Sequence, residues 1–432
     1  MNTEHFLQGL LSFLHASPTP FHATQTIADA LNQSGFHRLY EENPWDLEAD
    51  NGYYVIRDDS SLISFTTGDI SFVDHGFRIM GAHTDSPALK VKPNPEIYKN
   101  SHWQLGVEVY GGVILRTWFD RDLSIAGRVH YLDENYQIAS TLVNFERPIA
   151  FIPNLAIHMD RETNKKHCIN EQTQLSPILL QSQKNKQPNF KSLLLNQINN
   201  GATQAIEVLD YDLYFYDTQP PSLSGFNEEF IVSARIDNLI SCYTGLMSML
   251  QSARHVPTIL ACYNHEEVGS ESAAGAASSF LESIIKRLTH SEEGFARCIA
   301  RSMLISIDGA HALHPNFTDR HDDLHAPIMN HGPVVKFNAK QRYATSSETA
   351  SVIRYIANSI NENIQPFVMR NDLACGTTIG PVSATRLGIK TIDIGIPQLG
   401  MHSIREMAGT RDAYSLFRIL REFLSMEFLP FA

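Results

Sequence analysis

Three stretches decide how this chain folds: Phe77-Arg-Ile-Met-Gly-Ala-His83-Thr-Asp85, Thr258-Ile-Leu-Ala-Cys-Tyr-Asn-His-Glu266-Glu267 and Met303-Leu-Ile-Ser-Ile-Asp308. Each is an apolar run of strand length that ends in a residue type able to bind a metal. A fourth, Lys390-Thr-Ile-Asp-Ile-Gly-Ile-Pro397, runs on to His402. In open α/β sheets, ligands sit in the crevice beyond the carboxyl ends of the strands. Strands ending in His, Asp and Glu therefore aim those side chains at one point. Carboxylates gathered without a cation repel one another and resist ionisation. A pair of divalent metals resolves that repulsion and makes the chain a hydrolase candidate.

The bulk numbers agree with a soluble catalyst. The chain has 432 residues, 43% hydrophobic and 19% charged, long enough for two or three domains. A formal charge of -13 argues against nucleic acid as a partner, because nucleic-acid binders carry a basic patch. The five cysteines are scattered with no Cys-x-x-Cys pair, which points to a reducing compartment and away from a thiolate zinc site. The apolar start at Phe6 is preceded by Glu4 and interrupted by Gln8 and His15, so it reads as an amphipathic helix rather than a signal peptide. No apolar run approaches the roughly 18 residues of a membrane span. The expected setting is the cytoplasm, with no membrane partner.

Along the chain, helices are expected at 3–15 and 22–33, the second entered through Ser17-Pro-Thr-Pro20 and closed by Gly35. Tyr53–Arg57 and Ser61–Thr66 read as an antiparallel pair. From about 93 the texture turns to alternating or β-branched runs, among them Val107–Tyr110, Arg128–Leu132, Thr141–Phe145 and Ala205–Tyr216. The polar stretch Gln172–Asn200 reads as a mobile loop with a short helix. After Pro220 the helix and strand alternation resumes. Helices are expected at 238–251, 276–288, 347–359 and 413–428, and strands at 258–263, 303–307 and 391–396. The fold class is α/β. A three-layer domain with a mixed, largely parallel sheet is expected from 1–92 and 232–432, interrupted by a β-rich insert over 93–231.

Each motif has a plain reading beside the functional one. His83-Thr-Asp85 places both polar side chains on one face of an extended segment, so His83 can bind a metal while Asp85 orients its neighbour; alone, it is also an ordinary turn. Adjacent Glu266 and Glu267 point in different directions, one free to hold metal and the other to act as a general base. A bare Glu-Glu pair is more often a solvated loop. Asp237 lies just before an apolar helix, where an aspartate is usually a cap. Asp308 ends a buried strand, and His402 stands alone. The conjunction carries the argument. The segment Asp308–His325 adds His311, His314, His321 and His325, but Pro315, Asn316 and Pro327 interrupt any long helix there. These histidines read better as a substrate-pocket or subunit-contact loop than as a metal cluster.

Taken in order, His83-Thr-Asp-Ser-Pro, Arg235-Ile-Asp-Asn-Leu, His265-Glu-Glu-Val-Gly-Ser, Asp308-Gly-Ala-His-Ala and Met401-His-Ser-Ile-Arg-Glu resemble the aspartyl aminopeptidases, cytosolic di-zinc exopeptidases. The likeness runs from Ser17-Pro-Thr-Pro-Phe-His-Ala to the C-terminal helix. It implies two Zn2+ per chain, with Mn2+ or Co2+ able to substitute. His83 and Asp308 would hold one ion, Glu267 and His402 the other, and Asp237 would bridge them, leaving room for a bridging water. Glu266 would be the general base and Asp85 the partner of His83. The resemblance implies a pocket for an acidic side chain at Lys336, lined by Tyr343, and substrates with an N-terminal Asp or Glu. His158, in Ile152-Pro-Asn-Leu-Ala-Ile-His158, would reach a neighbouring subunit's substrate. The implied assembly is a tetrahedral dodecamer of dimers, with the insert as dimerisation element. A di-zinc carboxypeptidase or deacylase needs the same ligand types, and a self-assembling structural particle is the reading from a different class.

Overall fold

The structure is a computed structural model that describes residues 1–165, 168–181, 188–201 and 204–430. Two compact units divide after Asp85 and after Pro220, with His402–Arg405 grouping with the second unit.

The first unit is built on a nine-stranded sheet. Its strands are β1 (His37–Leu39), β2 (Gly52–Arg57), β3 (Ser61–Thr66), β4 (Arg78–His83), β5 (Thr258–Tyr263), β6 (Met303–Ile307), β7 (Val334–Phe337), β8 (Gln365–Val368) and β9 (Lys390–Gly395). The spatial order is β1-β2-β3-β5-β4-β6-β9-β7-β8. The central β5, β4, β6 and β9 are mutually parallel, while β3 and β7 join antiparallel. The alternation along each strand explains the layers. Met80, Ala82, Leu260, Cys262, Ile305 and Ile307 face a core with helices Thr3–Ala16, Pro20–Gln33, Ile236–Leu250, Ser347–Ser359 and Thr410–Ser425. Ile79, Ile259, Ala261 and Leu304 face the opposite core, with helices Phe280–Thr289 and Glu292–Arg301. Both faces are covered, as parallel strands require, and each fully buried Ile or Leu contributes about 1.5–3 kcal/mol.

The second unit is a six-stranded antiparallel sheet in the order Ile138–Asn144, Leu123–Asp133, Ala205–Asp217, Ala88–Lys99, His102–Tyr110 and Ile178–Gln181. The expected cuts at 92/93 and 231/232 fall inside the strands Ala88–Lys99 and Phe230–Ser233. The strand Ala88–Lys99 passes through Pro93-Asn94-Pro95 with a register shift between Val91 and Glu96. The Gln172–Asn200 stretch holds the short helix expected there, Phe190–Asn199, with Phe190, Leu194 and Ile198 buried, but it also contains the strand Ile178–Gln181; residues 182–187 of that stretch lie outside the described residues. One helix starts later than expected, at Phe280 rather than 276. The small residues before it coil tightly: a Cβ on Gly275 would meet the Ser270 carbonyl oxygen at 2.1 Å.

Candidate metal centre

Strand order puts the chemistry at one edge of the first unit. His83 ends β4 in register with Tyr263 of β5, and Asp308 follows the last residue of β6. Glu266 and Glu267 occupy a single 3-10 turn just beyond β5, entered through His265 at φ 64°. Asp237 sits in a non-helical kink at the head of the helix Ile236–Leu250.

The His83 imidazole is the hub. Its Nε2 lies 3.4 Å from Asp237 Oδ1, 3.5 Å from Asp308 Oδ1 and 3.8 Å from Glu266 Oε2. Ligand atoms of His83, Asp237 and Asp308 lie within 4.8 Å of one another, as do those of His83, Glu266 and Glu267. On the other side of the ring, Nδ1 is 3.0 Å from the Asp85 carbonyl oxygen and 3.3 Å from Asp85 Oδ1. Only acceptors face Nδ1, so it carries a proton, and loss of the second proton from Nε2 would free that nitrogen's lone pair for a metal. Asp85 also fixes the two glutamates: its Oδ1 accepts from the Glu266 N–H at 3.2 Å and its Oδ2 from the Glu267 N–H at 3.1 Å. One buried carboxylate thus orients three of the candidate residues.

Three further groups, not singled out from the sequence, hold the frame. Glu406 accepts from the Asp237 N–H at 2.9 Å. Asn238 Nδ2 donates to the Ile307 carbonyl at 2.8 Å, joining the Asp237 kink to the end of β6. The Cys242 thiol donates to the His83 carbonyl at 3.0 Å. Glu406 closes the Met401-His-Ser-Ile-Arg-Glu motif, and its register opposite Ser233 is the only sequence-distant signal that could have marked it.

The electrostatics show what the cluster lacks. Burial, joined by Asp308, Asp85 and Asp237, pushes the Glu266 carboxyl up to about 8 against the pull of His83. Burial and Asp237 raise Glu267 well above the usual range. Burial disfavours the His83 cation, but Glu266 and the hydrogen-bonded carboxylates raise its pKa well above normal. Asp308 differs: burial works against its ionisation, yet Lys336 and His83 hold it well below the usual carboxylate range. Imidazole and carboxylate donors without a thiolate, buried and short of positive charge, fit zinc or a similar divalent cation.

The remaining expected residues fall in different places. Lys336 is 1% exposed, its Nζ donating to the Gly309 carbonyl at 3.0 Å and standing 3.6 Å from Asp308 Oδ2. Tyr343 lies beside it, with Nζ 5.1 Å from the ring centre. His402 and His158 belong to the second unit. There the His402 Nδ1 is 3.0 Å from the Gly112 carbonyl oxygen. His158 is exposed, in a turn. His311, His314 and His321 line a cavity of about 260 Å³.

The family description "Aminopeptidase I zinc metalloprotease (M18)" matches residues 13–424. This chain belongs to the M18 family. A relative from Stutzerimonas stutzeri (strain A1501), a probable M18 family aminopeptidase 2, is 50% identical over 424 residues, covering 98% of this chain and 99% of its own. Among solved structures, a cryo-EM structure of an Ape4 and Nbr1 complex matches with TM-score 0.94 and 36% identity, covering 98% of this chain and 86% of that one. The S. cerevisiae mApe1 dodecamer matches with TM-score 0.85 and 26% identity, covering 98% and 97%. The M18 chain described here is therefore a zinc aminopeptidase, a hydrolase acting at the amino ends of peptides. Among its described residues, no helix is long and apolar enough to cross a membrane.

Proposed function

We propose that this M18 enzyme removes acidic residues, Asp or Glu, from peptide amino termini, using two zinc ions. The observation that carries the di-metal reading is the convergence of Asp237, Glu266 and Asp308 within 4 Å of His83 Nε2, with Glu267 in the same buried cluster. His83 and Asp308 would hold one ion, Glu267 and His402 the other, with Asp237 shared. Manganese or cobalt would be accepted by the same donors. When bound, zinc supplies a Lewis acid that acidifies water and polarises the first peptide carbonyl. Glu266 takes the proton from the attacking water and delivers it to the departing amine. Asp85 keeps the Glu266 backbone and the His83 ring in place through that transfer. The Glu266 Oε2 lies 3.8 Å from His83 Nε2, within reach of the water that the site would activate.

The buried ammonium of Lys336 supports the acidic preference. Its Nζ stands 3.6 Å from Asp308 Oδ2, at the rim of the proposed metal site, where it can pair with a substrate carboxylate. The test is a panel of aminoacyl chromogenic substrates, run after chelation and again after adding back zinc, manganese or cobalt. Lys336→Ala should lower kcat/KM on Asp- and Glu-substrates about 10–100-fold, and on Leu- or Ala-substrates much less. Zinc content is measured alongside, since Lys336 also faces Asp308. Equal losses at full zinc content would remove Lys336 from the specificity pocket.

The same reading makes the enzyme a cytoplasmic homo-oligomer, a tetrahedral dodecamer of dimers with the second unit at the dimer contact. The dodecamer of the yeast relative supports this. So does the exposed turn around His158, where Leu155 and Met159 are 56% and 75% exposed and would be covered by another subunit. His158 would there contact a neighbour's substrate. Free cysteines at all five positions suit a reducing compartment.

A further inference from the structure

The cavity of about 260 Å³ beside the metal cluster contains a side chain with no visible reason to be there. Gln398 lies in the short strand Pro397–Leu399, its backbone paired with His311 on one side and Ala408 on the other. Its side chain lines the cavity and is 2% exposed. Among the described residues, neither Oε1 nor Nε2 has a hydrogen-bond partner. A buried carboxamide with both ends unmatched costs stability, so an apolar residue would serve the fold better here.

Position gives the amide a use. Gly309 follows the metal-binding Asp308, and its missing side chain is what lets Gln398 approach. A Cβ built on Gly309 would meet Gln398 Nε2 at 3.1 Å and the Met401 methyl at 3.0 Å. The carbonyl of that same glycine accepts from Lys336 Nζ at 3.0 Å. The cavity's other polar lining is His311, His314, Arg320, His321 and Arg370, with one carboxylate, Asp322. Arg370 is tied to Asp372 by paired bonds of 2.9 and 2.7 Å, whereas the neutral amide of Gln398 stays unmatched at both ends.

We propose that Gln398 is a specificity-determining residue that binds the first residue of the peptide substrate. Nε2 donates to the acidic side chain, and Oε1 accepts from an N–H of the same residue. An N-terminal Asp or Glu offers both partners at once, as the two unmatched ends of the amide require. This assignment rests on the acidic-substrate reading given above and adds a neutral group to the charged Lys336.

The experiment uses the zinc-loaded full chain and compares wild type, Gln398→Leu and Gln398→Glu on Glu-, Asp- and Leu-substrates, with Tm and zinc content measured in parallel. Gln398→Leu should keep its zinc, melt no lower than wild type, and raise KM for acidic substrates about 10–100-fold with a clearly smaller rise for the Leu-substrate. Gln398→Glu, nearly isosteric, should cut kcat/KM on acidic substrates further still by like-charge repulsion. An unchanged acidic-to-neutral ratio in both variants would mean an amide satisfied by water only, and the proposal fails while the acidic preference stands. A wild-type enzyme with no preference for Asp or Glu would overturn that reading and this assignment together. Should Gln398→Leu not fold, the ratio measured for Gln398→Glu decides alone.

Discussion

Strand β4 buries a basic residue at each end, Arg78 and His83, and the fold treats them in opposite ways. Arg78 is fully buried, and its guanidinium donates to neutral main-chain carbonyls: Nε to Met426 at 2.8 Å, Nη1 to His75 at 3.0 Å and Nη2 to Glu427 at 2.6 Å. Burial lowers its pKa to about 10, which leaves it charged at neutral pH. The charge is dispersed over dipoles already present, and the result stitches the C-terminal segment to the sheet. At the other end, the His83 Nε2 faces three carboxylates within 4 Å, a group that gains its full balance of charge only with a cation. One end is complete as folded and serves stability. The other is left in deficit, and on the function proposed above that deficit is what a metal would fill.

The sharpest way to test that contrast is to alter one atom at the incomplete end. Glu266→Gln keeps size and shape but cannot carry a proton between water and amine. It should retain wild-type zinc content and Tm while kcat falls about 10²–10⁴-fold. Survival of turnover would transfer the base role to another residue. The complete end should answer in the other currency. Arg78→Ala strands three carbonyl acceptors and is expected to cost roughly 2–4 kcal/mol of stability, read as a lower denaturant midpoint. Its kcat per zinc-loaded molecule should match wild type. A drop in kcat at full zinc content would show that the two ends are coupled and would end the comparison.

Much of this was legible in the sequence, for a physical reason. The strands that carry His83, Glu266 and Asp308 are short, apolar on both faces and followed at once by a polar residue, so their pattern survives without tertiary information. The mixed sheet flanked by helices follows from the same alternation. What the sequence hid was whatever depends on register between distant segments. Glu406 reaches the Asp237 N–H only because its strand pairs with Phe230–Ser233. Gln398 and Gly309 are close in space only because Ala310–His311 pairs with Pro397–Leu399. β1, β7 and β8 are three- or four-residue strands, too short to show a period. The Ala88–Lys99 strand was obscured by two prolines, which normally end a strand but here sit at its irregularity.

The smallest expected effect concerns pH and distinguishes the deficit from ordinary burial. In the metal-free protein the Glu266 carboxyl titrates near 8, against 4.5 for an unperturbed glutamate. Between those values the folded chain holds a proton that the unfolded chain has released. Stability is therefore full below about 4.5 and is lost as pH rises through about 8. The raised pKa of His83 acts with the same sign, since its bound proton is likewise surrendered only at higher pH. Zinc competes with those protons for the same donors, so its binding strengthens as they leave. The chelated protein should lose on the order of 1–3 kcal/mol between about pH 5 and pH 8.5. The gap in Tm between zinc-loaded and chelated samples should widen over the same interval. Arg78→Ala should show the same widening, displaced downward by its own cost, because Arg78 itself stays charged throughout that range. A gap that stays constant with pH would mean that the carboxylates around His83 are not what the metal neutralises.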